Sequence, residues 1–359
     1  MIAAHKSTGS GSGLEKLGKP LPSCGVRPKV SIITAAFNAR PFLRATLASA
    51  SRQTFNDFEH LVVDDGSTDE TATIAEQLAT ADPRIKVIRQ QNLGASAARN
   101  AAITRAAGDY LAILDADDLW MPEFLEEQLS ILAAHPDVDV VSANAISLGG
   151  PFNGRPLRPA SVTCTPLSLL TMIEVEDSVC ITSVFRRRVV DRIGGFDPSI
   201  RMNEDYDFWL RAAAAGCRVL FNARPSAFYR RHPGGKSTNE QCALRGIVAV
   251  LRKNRSTAGV GRREVAAIDR QIARFERRAL IVAARVALTQ GNIESARRRF
   301  CELAQRDARD AFQLVAAIGR RMPRLVLWGY EARIAFRKWR QHRGHDSAGR
   351  DAARRNAVV

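Results

Sequence analysis

Five short apolar or β-branched runs, at residues 30–36, 60–63, 85–89, 110–114 and 138–143, are separated by four stretches of helical periodicity, at 41–53, 68–80, 96–107 and 122–134. Parallel neighbours need a crossover connection, and a helix of this length supplies one. The pattern therefore predicts an α/β fold whose mostly parallel sheet is covered by helices on both faces. In such open sheets, ligands bind in the crevice beyond the carboxyl ends of the strands. The residues that follow each run are the ones to read for chemistry.

The run at 110–114 leads into LDADDLWMP, three carboxylates in four residues: Asp115, Asp117 and Asp118. Hard oxygen donors at a strand end suit Mg2+ or Mn2+ carrying a diphosphate. The bland alternative is a helix starting at Asp117 or Asp118, with the carboxylates capping free N–H groups ahead of Met121 and Pro122. The second run, HLVV, leads into DDGSTDET, which puts Asp64 and Asp65 at its end. Ser67, Thr68 or Asp69 is placed to cap the helix that follows, and Asp65 either accepts from a base N–H or is a solvated turn residue. Asn92 and Gly94 fall in a loop before the helix that carries Arg99 and Asn100. Gly94 permits close backbone approach to a ligand, and Arg99 can pair with phosphate or with a strand-end aspartate.

These residues resemble a known family. VSIITAAFNARPFL, HLVVDDGSTDET, NLGASAARN, GDYLAILDADDLWMP, GGFDPSIRMNEDYDFWLR and YRRHPGGKS follow, in order over residues 29–237, the pattern of family-2 glycosyltransferases of the GT-A fold. The resemblance implies transfer of a sugar from a nucleotide-diphosphate donor to an acceptor hydroxyl, usually with inversion. It places nucleotide recognition on Ala35, Ala36, Phe37 and Asp65, and the residues themselves add Asn92, Gly94, Arg99 and Asp115 as nucleotide-side candidates. It places the metal on Asp117 and Asp115 and the base on Asp205, with Glu204 beside it.

The residue types suit that chemistry. A departing diphosphate gathers negative charge, which a divalent ion neutralises, and Mg2+ needs only one or two protein carboxylates. Asp118 then caps or supports its neighbours. An attacking hydroxyl needs a carboxylate to take its proton, and Glu204–Asp205 precedes the helix-like DYDFWLRAAAAG, although an acidic first turn is also ordinary helix chemistry. Arg231 and His232, before the Gly-rich loop at 233–236, are candidate diphosphate contacts or a solvated basic turn. The QxxRW signature of processive family members is absent, which predicts single addition.

Composition bounds the remainder. The chain has 359 residues, 45% hydrophobic and 25% charged, and a net charge of +16. Residues 1–240 hold 26 Lys and Arg against 27 Asp and Glu, whereas residues 241–359 hold 27 against 10. A near-neutral first region without a groove-reading motif argues against nucleic-acid binding. Cys24, Cys164, Cys180, Cys217, Cys242 and Cys301 show no paired spacing, so a reducing compartment is expected. With no apolar run of about 18 residues and no secretory leader pattern, the expected location is cytoplasmic, peripheral on the inner face of the cell membrane.

The expected domains are a disordered lead at 1–28, a catalytic domain at 29–239, a basic helical extension at 240–343 and a disordered tail at 344–359. ALIVAARVALTQGNIESARRRF resembles one tetratricopeptide-like hairpin, with Ala283, Ala287 and Ala296 between two helices that turn at Gly291 and Asn292. Leu325, Trp328, Ala332, Phe336 and Trp339 recur at helical spacing among arginines, as in an amphipathic helix for an anionic membrane surface or in an ordinary core-facing helix. The expected partners are a nucleotide-sugar donor, UDP by default, and a lipid-linked or polysaccharide acceptor. The competing reading is a non-catalytic scaffold acting through its tail. The sequence does not indicate an oligomeric state.

Overall fold

The structure, a computed structural model, describes residues 27–161, 164–175, 178–179 and 182–306, with the single residues 317, 321, 322 and 325. The lead before residue 27, the apolar stripe beyond Leu325 and the tail lie outside the described residues. Two compact units are present. One comprises the chain up to Asn239 together with Gly246–Gln271, and the other comprises Glu240–Arg245 and the segment from Ile272 on.

The first unit opens with the strand-helix alternation: β1 (Val30–Ala36), α1 (Leu43–Ser51), β2 (Phe58–Asp65), α2 (Thr71–Ala81), β3 (Ile85–Gln90), α3 (Ala95–Arg105) and β4 (Tyr110–Ile113). Every residue of β2 is buried, as expected of a parallel strand covered on both faces by helices. β5 (Leu119–Trp120), α4 (Phe124–Ala134), β6 (Val140–Leu148), β7 (Cys164–Leu167), α5 (Leu169–Glu174), β8 (Ser183–Arg186), α6 (Arg188–Ile193), α7 (Glu204–Ala214) and β9 (Val219–Arg230) follow. The helices α8 (Glu240–Asn254), α9 (Arg262–Thr289) and α10 (Ile293–Arg306) close the described chain.

One sheet runs β3-β2-β1-β4-β8-β6-β9-β5, with β7 also on β9. The parallel expectation holds for β1 to β4. Beyond β4 the sheet is mixed, because β8 is antiparallel to both β4 and β6 while β6 and β9 are parallel. The sequence behind β7 and β8 lacks the strand-helix rhythm that imposes crossovers, so nothing there forces parallel pairing.

No helix starts at Asp117 or Asp118. They lie in a turn closed by Asp118 N donating to the Asp115 carbonyl at 3.1 Å, two-residue β5 comes next, and α4 begins only at Phe124. The capping alternative is thereby removed. A core of Val30, Ile32, Trp120, Phe124, Val141 and their neighbours joins the sheet to α4, and a second core of Leu43, Leu47, Val62, Ala75 and Ile85 seats α1 and α2.

In the second unit α9 and α10 meet through Ala284, Ala287, Leu288, Ala296, Phe300 and Leu303, with Gly291 at φ +75° in the turn. Ala284 takes the buried place expected of Ala283, which is half-buried. Among the described residues no helix is long and apolar enough to cross a membrane.

Candidate active site

Two buried threonines fix the acidic turn after β4 through its backbone. Thr34 Oγ1 donates to the Leu114 carbonyl at 2.8 Å, and Thr46 Oγ1 lies 2.9 Å from both the Ala116 and Asp118 carbonyls. With the main chain held from below, the three side chains turn into the crevice, where one oxygen of each lies within 4.8 Å of the others. Like charges this close, taken out of water, resist ionisation. Burial, then Asp117 and Asp115, pushes the Asp118 carboxyl well above its usual range, and burial followed by Asp115 raises Asp117.

Each carboxylate has a cationic or N–H neighbour. Arg99 Nη2 donates to Asp115 Oδ1 at 2.7 Å, His232 Nε2 lies 3.0 Å from Asp117 Oδ2, and the Arg230 N–H donates to Asp118 Oδ1 at 2.8 Å. The second Asp118 oxygen is buried without a hydrogen-bond partner among the described residues. A buried orphan carboxylate oxygen inside an all-oxygen cluster is what a hard divalent cation would satisfy, so the donor set fits Mg2+ or Mn2+.

At the end of β2 the Asp65 carboxylate accepts from Gln90 Nε2 at 2.7 Å, Leu93 N at 2.9 Å and Gly94 N at 2.9 Å. It thus spends about three of its roughly four acceptor sites on its own loop, which leaves one for a base N–H. Gly94 has φ +92°, and a Cβ there would sit 2.6 Å from Arg201 Nη1. Ala35 is half-buried, while Phe37 and Asn92 are exposed. Phe37 shows 49% of its surface and offers a flat ring at the crevice mouth.

Arg99, read as a partner of phosphate or of a strand-end aspartate, takes the aspartate. Its Nη1 donates to Glu204 Oε1 at 2.9 Å while Nη2 holds Asp115, so one buried guanidinium ties the acidic turn to the start of α7. Burial acts against the Glu204 charge, but Arg99 and Lys236 outweigh it and hold the carboxyl below its usual range. At its neighbour Asp205 burial, reinforced by the Glu204 charge, outweighs the pull of Arg99 and pushes the carboxyl up to about 6. Two adjacent carboxylates with divergent proton affinities are the pattern of a fixed ion and a working base.

Local backbone sets their aim. Asn203 sits at φ +60° immediately before α7, and α8 presses against it through Gly246, where a Cβ would fall 2.4 Å from Asn203 Oδ1 and 2.7 Å from Met202 Cβ. One turn along α7, fully buried Asp207 accepts from Arg211, Lys253 and Asn254, which docks the helix on the end of α8. Sequence reading missed this support because Gly246, Lys253 and Asn254 belong to no motif.

The segment after β9 divides its work. Arg230 Nε donates to the Asp117 carbonyl at 2.7 Å and its guanidinium lies 4.9 Å from the Phe42 ring, while His232 packs on the same ring at 4.3 Å. Lys236 Nζ reaches Glu204 Oε1 at 3.5 Å. Phe42 was not singled out from sequence, whereas Arg230 was read with Arg231 and His232 as a basic segment before the loop that ends at Lys236. Arg231, the other candidate diphosphate contact, lies over Tyr229 and Phe152.

An aspartate-anchored loop, an acidic turn and the Glu204–Asp205 pair gather at the carboxyl edge of one sheet, the arrangement of the GT-A type of nucleotide-sugar transferase fold. The family model for glycosyl transferase family 2 matches residues 31–194. The putative teichuronic acid biosynthesis glycosyltransferase TuaG of Bacillus subtilis (strain 168) is 33% identical over 230 residues, 63% of this chain and 88% of its own. The UDP-Glc:alpha-D-GlcNAc-diphosphoundecaprenol beta-1,3-glucosyltransferase WfaP of Escherichia coli is 31% identical over 59% of this chain and 80% of its own. This chain belongs to glycosyl transferase family 2. Among solved structures, S. aureus TarS 1-349 in complex with UDP-GlcNAc aligns at TM-score 0.60 with 20% identity, over 85% of this chain and 92% of that one. The mannosyltransferase PcManGT from Pyrobaculum calidifontis, in complex with GDP-Man and Mn2+, aligns at 0.55 with 19% identity, over 86% and 92%. At these identities the two likenesses speak for the fold alone.

Proposed function

We propose that this glycosyltransferase transfers a sugar from a UDP-linked donor to a hydroxyl of a lipid-linked or polysaccharide acceptor, with inversion and one addition per encounter. The observation that carries the reading is the Arg99 bridge, which holds the acidic turn and the Glu204–Asp205 pair in one fixed frame. Asp65 and its loop would receive the base, and Ala35, Phe37 and Asn92 would border it. Asp115 and Asp117, with Asp118 behind them, would hold Mg2+ or Mn2+, which when bound offsets charge on the diphosphate oxygens. His232 would release Asp117 and turn to the diphosphate. Asp205, ionised above about pH 6, would take the proton of the attacking hydroxyl, and Glu204, pinned by Arg99 and Lys236, would stay charged and orient the acceptor. Attack from the face opposite the departing diphosphate gives inversion, and the missing QxxRW signature supports single addition.

UDP as the donor base and an acceptor on a lipid diphosphate are suggested by the WfaP name and by the donor bound to TarS. A cytoplasmic enzyme resting on the inner face of the membrane follows from the excess positive charge of residues 241–359, at about 1 kcal/mol per basic residue near an anionic surface. Unchanged vesicle binding after replacing Arg333, Arg337, Lys338 and Arg340 by Gln would remove that part.

The central test is purified protein with Mn2+ against a panel of nucleotide sugars, scoring donor hydrolysis. Hydrolysis of one UDP-sugar, abolished by chelator and by Asp205→Asn with UDP binding retained, is the expected result. Turnover of none, or turnover indifferent to both treatments, overturns the reading.

A further inference from the structure

Arg231 has a guanidinium that the fold does not use. Among the described residues no hydrogen bond or ion pair engages it, and its Nε is buried without a partner. It is held by two rings instead, 5.4 Å from the Tyr229 centroid and 5.9 Å from that of Phe152. Phe152 sits at the tip of a hairpin that extends β6 and leaves 49% of its surface exposed. Backbone bonds fix that hairpin without help from Arg231: Ser147 N to the Arg155 carbonyl, Gly154 N to the Ser147 carbonyl and Leu157 N to the Ala145 carbonyl, each 2.8 Å. Gly149, at φ +90°, lets the hairpin close against Arg231, because a Cβ there would lie 2.7 Å from the Arg231 carbonyl oxygen. A desolvated donor without a partner costs free energy, which a ligand acceptor would recover.

Position says which ligand. Arg231 lies between Arg230 and His232 in the chain, both of which touch Asp117, while its own side chain stands with Tyr229 and Phe152, beside the segment that reaches the acidic turn. In the sheet, β6 and β9 stand on the far side of β4 from β2, which carries Asp65. In the transferase reading the donor nucleotide takes the Asp65 side, which leaves the opposite flank for the acceptor. A planar fork with free N–H groups matches phosphate oxygens, and the exposed ring beside it offers an apolar face to the C–H groups of a pyranose.

We propose that Arg231 and Phe152 form an acceptor subsite for a phosphorylated sugar, the guanidinium on the phosphate and the ring under the sugar. The proposal rests on the transferase reading above and gives it an acceptor class. The test uses the full-length protein with glucose 1-phosphate and N-acetylglucosamine 1-phosphate, their methyl glycosides as neutral controls, and UDP with Mn2+ as the donor-side control. The wild type should bind at least one sugar phosphate in preference to its methyl glycoside. Arg231→Ala should weaken that binding about ten- to a hundredfold, the size of one charge-assisted contact, and Arg231→Lys should fall between. Phe152→Ala should weaken it less, with UDP binding in every variant within about twofold of wild type. Equal loss of UDP and sugar phosphate in Arg231→Ala would make Arg231 a donor-side group and overturn the proposal. So would binding without preference for the phosphorylated form, inorganic phosphate binding as well as either sugar phosphate, or no binding to the wild type. Loss of UDP binding and donor hydrolysis in the wild type would instead strike the transferase reading.

Discussion

The two flanks of the sheet hold their carboxylates in opposite ways. On the β2 flank Asp65 is nearly saturated by the loop at 90–94, so its charge is spent on shape. On the β4–β9 flank the carboxylates of the acidic turn crowd together and keep an unpartnered oxygen, and at Asp205 burial and the Glu204 charge outweigh Arg99. One flank is finished before any ligand arrives, whereas the other holds crowded carboxyl groups that resist ionisation. Recognition of a constant group, such as a base, suits the first arrangement, and chemistry suits the second.

Substitutions that break this contrast should rank accordingly. Asp205→Asn should lower kcat by about 10²- to 10⁴-fold while UDP affinity stays level, measured by turnover and titration calorimetry. Equal loss in both would place Asp205 with the nucleotide. Arg99→Met should cost about 3–5 kcal/mol of unfolding free energy in denaturant melts, because Asp115 and Glu204 would each lose a buried partner. A small change would mean that the flanks are not joined through this residue. Asp65→Ala should cost about 1–3 kcal/mol and show mainly in UDP affinity, since the loop at 90–94 loses its anchor.

Acid should separate the flanks again. Asp205 acts as a base only when ionised, so activity should fall toward tenfold per unit as pH drops below about 6. His60 is buried on β2 beside β1, with Nε2 2.9 Å from Thr34 Oγ1, and burial drives its pKa down to about 3. The unfolded chain takes up that proton near pH 6.5 and the folded chain does not, so stability should fall as pH drops below about 6.5, with a slope approaching about 1.4 kcal/mol per unit. Replacing His60 by Gln should flatten the stability profile and leave the activity profile in place. Coincident flattening of both would break the distinction.

The same contrast explains what was legible in the sequence. On the β2 flank the site residues follow their strands directly, so a run of apolar residues and the polar cluster after it were enough to place Asp65, Asn92 and Gly94. The three aspartates after β4 were equally visible, and only their cap-or-crevice alternative needed the structure. On the other flank contacts are made at a distance. Arg99 and Glu204 are separated by 105 positions, and Arg230 and Asp118 by 112. No local period records such pairings, so the sequence left Arg99 between a phosphate and a strand-end aspartate, and Arg231 between the diphosphate and a solvated turn. The mixed strand order beyond β4 was hidden for the same reason, as antiparallel β8 enters from a segment without strand-helix rhythm.

Gly246 and the end of α8 carry a consequence for the boundaries of the catalytic machine. A polypeptide stopping at Ser237 would retain all six recognisable signatures yet lack the helix that wedges against Asn203 and the Lys253–Asn254 clasp on Asp207. Its acidic pair would be spelled correctly and pointed nowhere in particular.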